Sequence, residues 1–195
     1  KLPAPARIVE ESVVGPTLGQ EAIDSSLMSF VIALLVILVF MYMYYNKAGM
    51  VANVALIANM FFIMGILASM NAVLTLPGIA GIVLTMGTAV DANIIIYERA
   101  KEELRAGLSL EDAVKTAFGW KGAMRSIIDA NVTHILTGSI LYIFGEGMIR
   151  GFAITLLIGI LTSLFTSIFI ARFFIDSDIA KGRSLQFSTN ITKNW

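Results

Sequence analysis

The chain has 195 residues, 57% of them hydrophobic and 14% charged, with a formal net charge of zero. Soluble domains usually carry about 25% charged residues, so this deficit, joined to long apolar runs, points to a membrane protein. The neutral balance offers no global field for nucleic acid. The absence of cysteine excludes disulfides, thiolate metal sites and a cysteine nucleophile.

Residues 1–26 are not membrane-like. Lys1-Leu2-Pro3-Ala4-Pro5 reads as extended, Arg7 to Val14 alternates like a strand, and Gly15-Pro16 ends it. This predicts the last strand of an external domain and its junction to the membrane. The chain opens on Lys1 without a leader pattern and reads as a piece of a longer protein.

Apolar runs follow at 27–45, 50–70, 72–97, 127–144 and 151–174. A spanning helix needs roughly 20 apolar residues, so the expected fold is an all-α bundle of five transmembrane helices. Asn46–Gly49 and the residues near Asn71 read as tight turns, and Gly145–Arg150 as a glycine-punctuated loop. The 98–126 connection is longer. It opens as a charged extension of the third span, which Gly107 stops. Ser109 then caps a short amphipathic helix, with Asp112 three residues on, and that helix is expected to lie along the membrane surface. Residues 176–195 read as a polar tail or linker. Lys47, the basic residues of 98–126 and those after the last span fall on one side, which predicts an outside N-terminus and a cytoplasmic C-terminus.

Asp91 is the most informative residue. It sits about 10 Å inside the charged end of its helix at 1.5 Å per residue. Insertion scales put a central aspartate at about +2.5 to +3.5 kcal/mol, and intramembrane carboxyls are functional by default. Such a group can load and release protons; the alternative is an aspartate held charged by a basic partner or a polar cap. Gly78, Gly81, Thr85, Thr88 and Ala92 form a stripe of small residues beside it, and Thr155, Gly159, Thr162 and Thr166 form a similar one in the fifth span. Small stripes allow close helix approach, and their hydroxyls could also hold a water chain facing Asp91. The fourth span carries Asp129, Asn131, Thr133, His134 and Thr137. Asp129 is placed to pair with Arg125 four residues back. His134 reads either as a hydrogen-bonded packing residue or as a proton relay. With one histidine and no cysteine, no metal site is expected.

Several stretches resemble the SecD family, within the wider resistance-nodulation-division superfamily. Gly87-Thr88-Ala89-Val90-Asp91-Ala92-Asn93-Ile94-Ile95-Ile96-Tyr97-Glu98-Arg99 is similar to its most distinctive motif. Val13-Val14-Gly15-Pro16-Thr17-Leu18-Gly19, Ile128-Asp129-Ala130-Asn131-Val132-Thr133 and Gly145-Glu146-Gly147-Met148-Ile149-Arg150-Gly151 resemble further family stretches in the expected order. The resemblance implies spans two to six of a multi-pass protein of the bacterial inner membrane, one that uses proton flow to help exported proteins leave the SecYEG channel after SecA has acted. It implies SecF, separate or fused, as partner, and an unfolded exported polypeptide held by the external domain. The family's intramembrane aspartate maps onto Asp91, with Thr88, Asn93, Asp129, Asn131, Thr133 and His134 as candidate support. His134 departs from the family pattern, where a small hydroxyl residue is more usual. The coupling ion implied is the proton, with sodium left open, and no cofactor is implied. The competing readings are a proton-coupled efflux or lipid transporter of the same superfamily, an aspartyl protease using Asp91 and Asp129, and a structural scaffold. The protease reading lacks the Gly-x-Gly-Asp context, since Ala89-Val90 precedes Asp91.

Overall fold

The computed structural model describes residues 16–72, 74–182 and 186–188. The expected strand at 7–14 lies outside them. The described residues form helices and no strands: α1 (Pro16–Ser69), α2 (Leu76–Arg105), α3 (Leu110–Ala117), α4 (Arg125–Phe144), α5 (Gly147–Phe165) and α6 (Ala171–Ala180). A π-helical turn, Trp120–Met124, leads into α4, and another, Thr166–Ile170, joins α5 to α6.

Among the described residues four helical stretches are long and apolar enough to cross a membrane: Glu21–Ser69, Leu76–Arg105, Leu110–Phe144 and Gly147–Ala180. Four stretches stand where five spans were expected, because the first holds the runs 27–45 and 50–70 as two helices joined across a kink at Asn46. At 1.5 Å per residue, a straight helix of α1's 54 residues would run about 80 Å, far beyond a hydrocarbon core of about 30 Å. It does not stay straight. Asn46 adopts φ 53° and ψ −124°, a left-handed backbone that asparagine tolerates better than most residues. There the chain folds back, so that Asn53 Nδ2 donates to the Leu38 carbonyl at 2.9 Å. In an unbroken helix those residues would stand about 22 Å apart.

Gly49 makes this reversal tight. A Cβ there would overlap the Met41 carbonyl and lie 3.2 Å from Tyr42 Cα. Both obstacles are backbone and cannot rotate away. Gly49→Ala is therefore expected to open the hairpin, at the upper end of the overpacking range, about 3 kcal/mol. A lowered midpoint in detergent-phase unfolding would report it.

The other boundaries follow local chemistry. Thr75 caps α2 by accepting from Gly78 N–H at 3.2 Å, and Pro77 occupies the first turn, where its missing N–H costs nothing. This starts the helix at Leu76, later than the apolar run that opens at residue 72. Gly107 (φ 94°) follows the end of α2, and Ser109 caps α3 by accepting from Asp112 N–H. The Gly145–Arg150 loop shortens to a turn at Gly145–Glu146, since helix resumes at Gly147.

α2 packs most extensively on α5 and then on α1, while α4 leans mainly on α5. α3 differs from expectation. Its apolar residues Ala113, Val114 and Ala117, with Phe118 after it, are buried against the bundle rather than turned toward a membrane surface. Arg172 stacks over Phe118 at 5.5 Å and closes that end. The outer faces of the long helices carry large apolar side chains; Phe61 and Phe144 are each 79% exposed. Exposed apolar area on this scale suits contact with lipid.

Candidate functional site

The two small-residue stripes face each other. A Cβ on Gly81 would overlap Thr155 Oγ1, and one on Gly159 would lie 2.5 Å from Thr85 Cγ2. Glycine on one helix thus receives threonine from the other, twice. The hydroxyls are engaged within their own helices: Thr85 donates to Ile82 O at 2.9 Å, Thr155 to Phe152 O at 2.8 Å, Thr162 to Ile158 O at 3.0 Å and Thr166 to Ser163 O at 3.2 Å. They form the α2/α5 seam and do not line the space around Asp91.

Asp91 lies on another stripe of α2. Thr88, Asp91, Ala92 and Ile95 recur at helical spacing and face Ile127, Ala130, Asn131 and His134 of α4. Between the two helices is an open-sided cavity of about 260 Å³, lined mostly by apolar surface, with Thr88, Asp91, Asn131 and His134 as its polar members. Asp91 is exposed, and its carboxylate neither accepts a hydrogen bond nor forms an ion pair among the described residues. Thr88 Oγ1 donates to the Thr85 carbonyl at 3.0 Å. Asn131 is buried; its Nδ2 donates to Ile127 O at 2.7 Å, while its Oδ1 has no partner.

The remaining candidates sit elsewhere. Asn93 is buried on another face of α2, donating to the Ala89 carbonyl at 3.1 Å. Thr133 is exposed and donates to the Ala130 carbonyl at 2.6 Å. Asp129 lies 3.9 Å from Arg125 Nε, the i,i+4 pair its spacing predicts, with both side chains largely exposed. Such a pair is worth at most about 1 kcal/mol. Among the described residues no three His, Asp or Glu side chains converge as metal ligands.

Sequence reading treats Lys101 as an ordinary loop charge, but it is buried. Its Nζ lies 2.6 Å from Glu98 Oε1 and sits over the rings of Tyr44 and Tyr45, at 5.5 and 5.3 Å. Tyr45 Oη donates to the same Glu98 oxygen at 2.8 Å. Tyr45 also packs on Tyr97, and Tyr97 on Phe187, each at 5.5 Å. Lys101 thereby ties the charged end of α2 to the Asn46 reversal. The run Tyr42-Met43-Tyr44-Tyr45 before that reversal is the one sequence signal for this cluster.

Long apolar helices packed as a bundle, four stretches of them able to cross a membrane among the described residues, define a helical membrane protein. The chain belongs to the SecD/SecF protein-export membrane family: the family described as protein export membrane protein SecD/SecF, C-terminal, matches residues 3–177. Protein translocase subunit SecD of Rhodothermus marinus is 51% identical over 175 residues, covering 90% of this chain and 28% of its relative. The subunit of the same name from Desulfurispirillum indicum is 52% identical over 171 residues, 88% of this chain and 33% of that one. Among solved structures, SecDF of Thermus thermophilus, titled a translocon-associated membrane protein, superposes with a TM-score of 0.85 at 38% identity, over 93% of this chain and 25% of that one. A SecDF structure in a super-membrane-facing form gives 0.81 at 40% identity, over 94% and 25%. The chain therefore spans about a third or less of these curated relatives.

Proposed function

We propose that this bundle is the membrane-embedded part of an accessory subunit of the Sec translocase that couples the proton-motive force to protein export, with Asp91 as its proton-carrying group. The observation that carries this reading is the Asp91 carboxylate itself, unpaired among the described residues in a largely apolar groove of a span-length helix. A carboxyl so placed is open to the groove and has no ion-pair partner among the described residues. Moving one charge through 100 mV is worth about 2.3 kcal/mol. That shifts a two-state packing equilibrium about 50-fold, enough to drive a gating motion of α2 against α4.

With spans that alternate across the bilayer, Lys47, Lys101, Lys115, Arg172 and Lys181 fall on one side and Arg150 on the other. By the positive-inside rule the basic end faces the cytoplasm of a bacterial inner membrane, with the chain's start outside. The partners in this reading are SecF, separate or fused, the SecYEG channel with SecA acting upstream, and the unfolded polypeptide, which an external domain would grip. The role is mechanical rather than enzymatic, and protons serve as the coupling ion.

Complementation tests it. Membrane vesicles depleted of the full-length protein should regain export of a secretory precursor when it is resupplied, and only while a proton gradient stands. Stimulation that survives collapse of the gradient with a protonophore would overturn the reading.

A further inference from the structure

The groove that holds Asp91 also holds the chain's single histidine. Ile127, Ala130, Asn131 and His134 follow one another at three-, one- and three-residue steps, which places them on one face of α4, opposite the Thr88–Asp91–Ile95 stripe. Asn131 supplies an independent observation. Its Nδ2 is engaged with the Ile127 carbonyl, and its Oδ1 is a buried acceptor at this cavity with no donor among the described residues. Buried acceptors are rarely left without a donor. His134 stands about one turn further along the same face, lines the same cavity and carries an N–H.

We propose that His134 is a second proton-carrying group of this site, exchanging the proton with the Asp91 carboxyl across the cavity while Asn131 Oδ1 orients its ring. This rests on the Asp91 reading. Neutral imidazole has one N–H and one lone pair. With the N–H donated to Asn131, the second nitrogen accepts the proton leaving the Asp91 carboxyl. The pair passes from neutral acid and neutral ring to carboxylate and imidazolium, and the total charge is unchanged. The two side chains do not touch in this structure. The cavity of about 260 Å³ can take several waters at about 30 Å³ each, enough for a water chain to carry the proton between them.

The electrostatic surroundings are simple. Asp91 is the only charged side chain of α2 at the cavity. On α4, Asp129 lies outside it beside Arg125. α5, which packs on both helices, has no charged residue between Arg150 and Arg172. The π-helical turn before α4 contributes Lys121, exposed and away from the cavity.

The test uses the full-length protein and the variant His134→Thr, which installs a small hydroxyl. Gradient-driven export should slow about tenfold or more, within the scale of a lost acid–base group, and its pH profile should lose one ionisation step. Unchanged rate and profile, with Asp91→Asn still inactive, would overturn this inference alone. An active Asp91→Asn would instead remove the reading beneath it. Should His134→Thr fail to fold, nitrogen-15 resonances of the imidazole decide the matter. They should respond to Asp91→Asn if the groups communicate, and identical resonances in the two proteins would refute the pairing.

Discussion

Asp91→Asn is expected to reduce gradient-driven export to its gradient-free level, a loss of at least about tenfold, while the protein inserts and folds normally. The carboxamide matches the carboxyl in size but cannot gain or lose a proton. In the native fold the carboxylate has no hydrogen bond or ion pair among the described residues, so the substitution leaves no partner stranded. With no partner lost and a charge removed from an apolar groove, the melting temperature should not fall. Export assays with and without a protonophore, beside thermal unfolding in detergent, separate the two effects. Asp91→Glu keeps the titrating group on a longer arm and should retain part of the activity. Full gradient-dependent export by Asp91→Asn would leave the proposed coupling without its carrier.

Gly159→Leu is expected to act the other way, removing the fold before the function. A Cβ at Gly159 would stand 2.5 Å from Thr85 Cγ2 and 2.7 Å from Thr85 Cβ. Favourable contacts between carbon atoms lie at about 3.5–4.0 Å, so α2 and α5 would have to separate by 1 Å or more before the rest of leucine is placed. The second interlock, Gly81 against Thr155, lies on the same seam and would be pulled open with it. Membrane helices associate through such close packing rather than through a hydrophobic drive between them. Overpacking typically costs about 1–3 kcal/mol, and a leucine in this seam belongs at or above the top of that range. Gly65→Leu is the control: nothing lies within 4 Å of a Cβ there, so unfolding should be unchanged or slightly delayed. Equal losses in the two variants would mean that the seam does not hold the bundle.

The end of α2 and the start of α3 were legible because capping chemistry is local: Ser109, Gly107 and the charged run after Tyr97 act within a few residues of themselves. The reversal between the first two spans was legible as a tight turn at 46–49, but not that Asn46 alone makes it. Asn46 departs from helical geometry at a single residue, and an apolar count cannot tell a loop between two helices from one reversing residue inside a helical run. The face of α3 was misassigned for a related reason. An amphipathic pattern marks an apolar side, but lipid and the end of a bundle are equally apolar to it. At the site, the pattern picked out both Asp91 and His134 and stated no relation between them. It also grouped Asn93, Asp129 and Thr133 with them, and each proved to serve its own helix.

By itself, the sequence determined that the chain carries helices suited to lipid, that one of them bears a carboxyl within its apolar run, and that two helices carry small residues for close approach. Those properties follow from side-chain chemistry and a 3.6-residue period. Only the tertiary structure decided that Thr85 and Thr155 close a seam instead of facing Asp91, that Lys101 is buried beneath tyrosines, and that Asp91, Asn131 and His134 share one cavity. Those depend on how helices far apart in the chain are rotated about their axes, and rotation is settled by packing between elements, which no local pattern records.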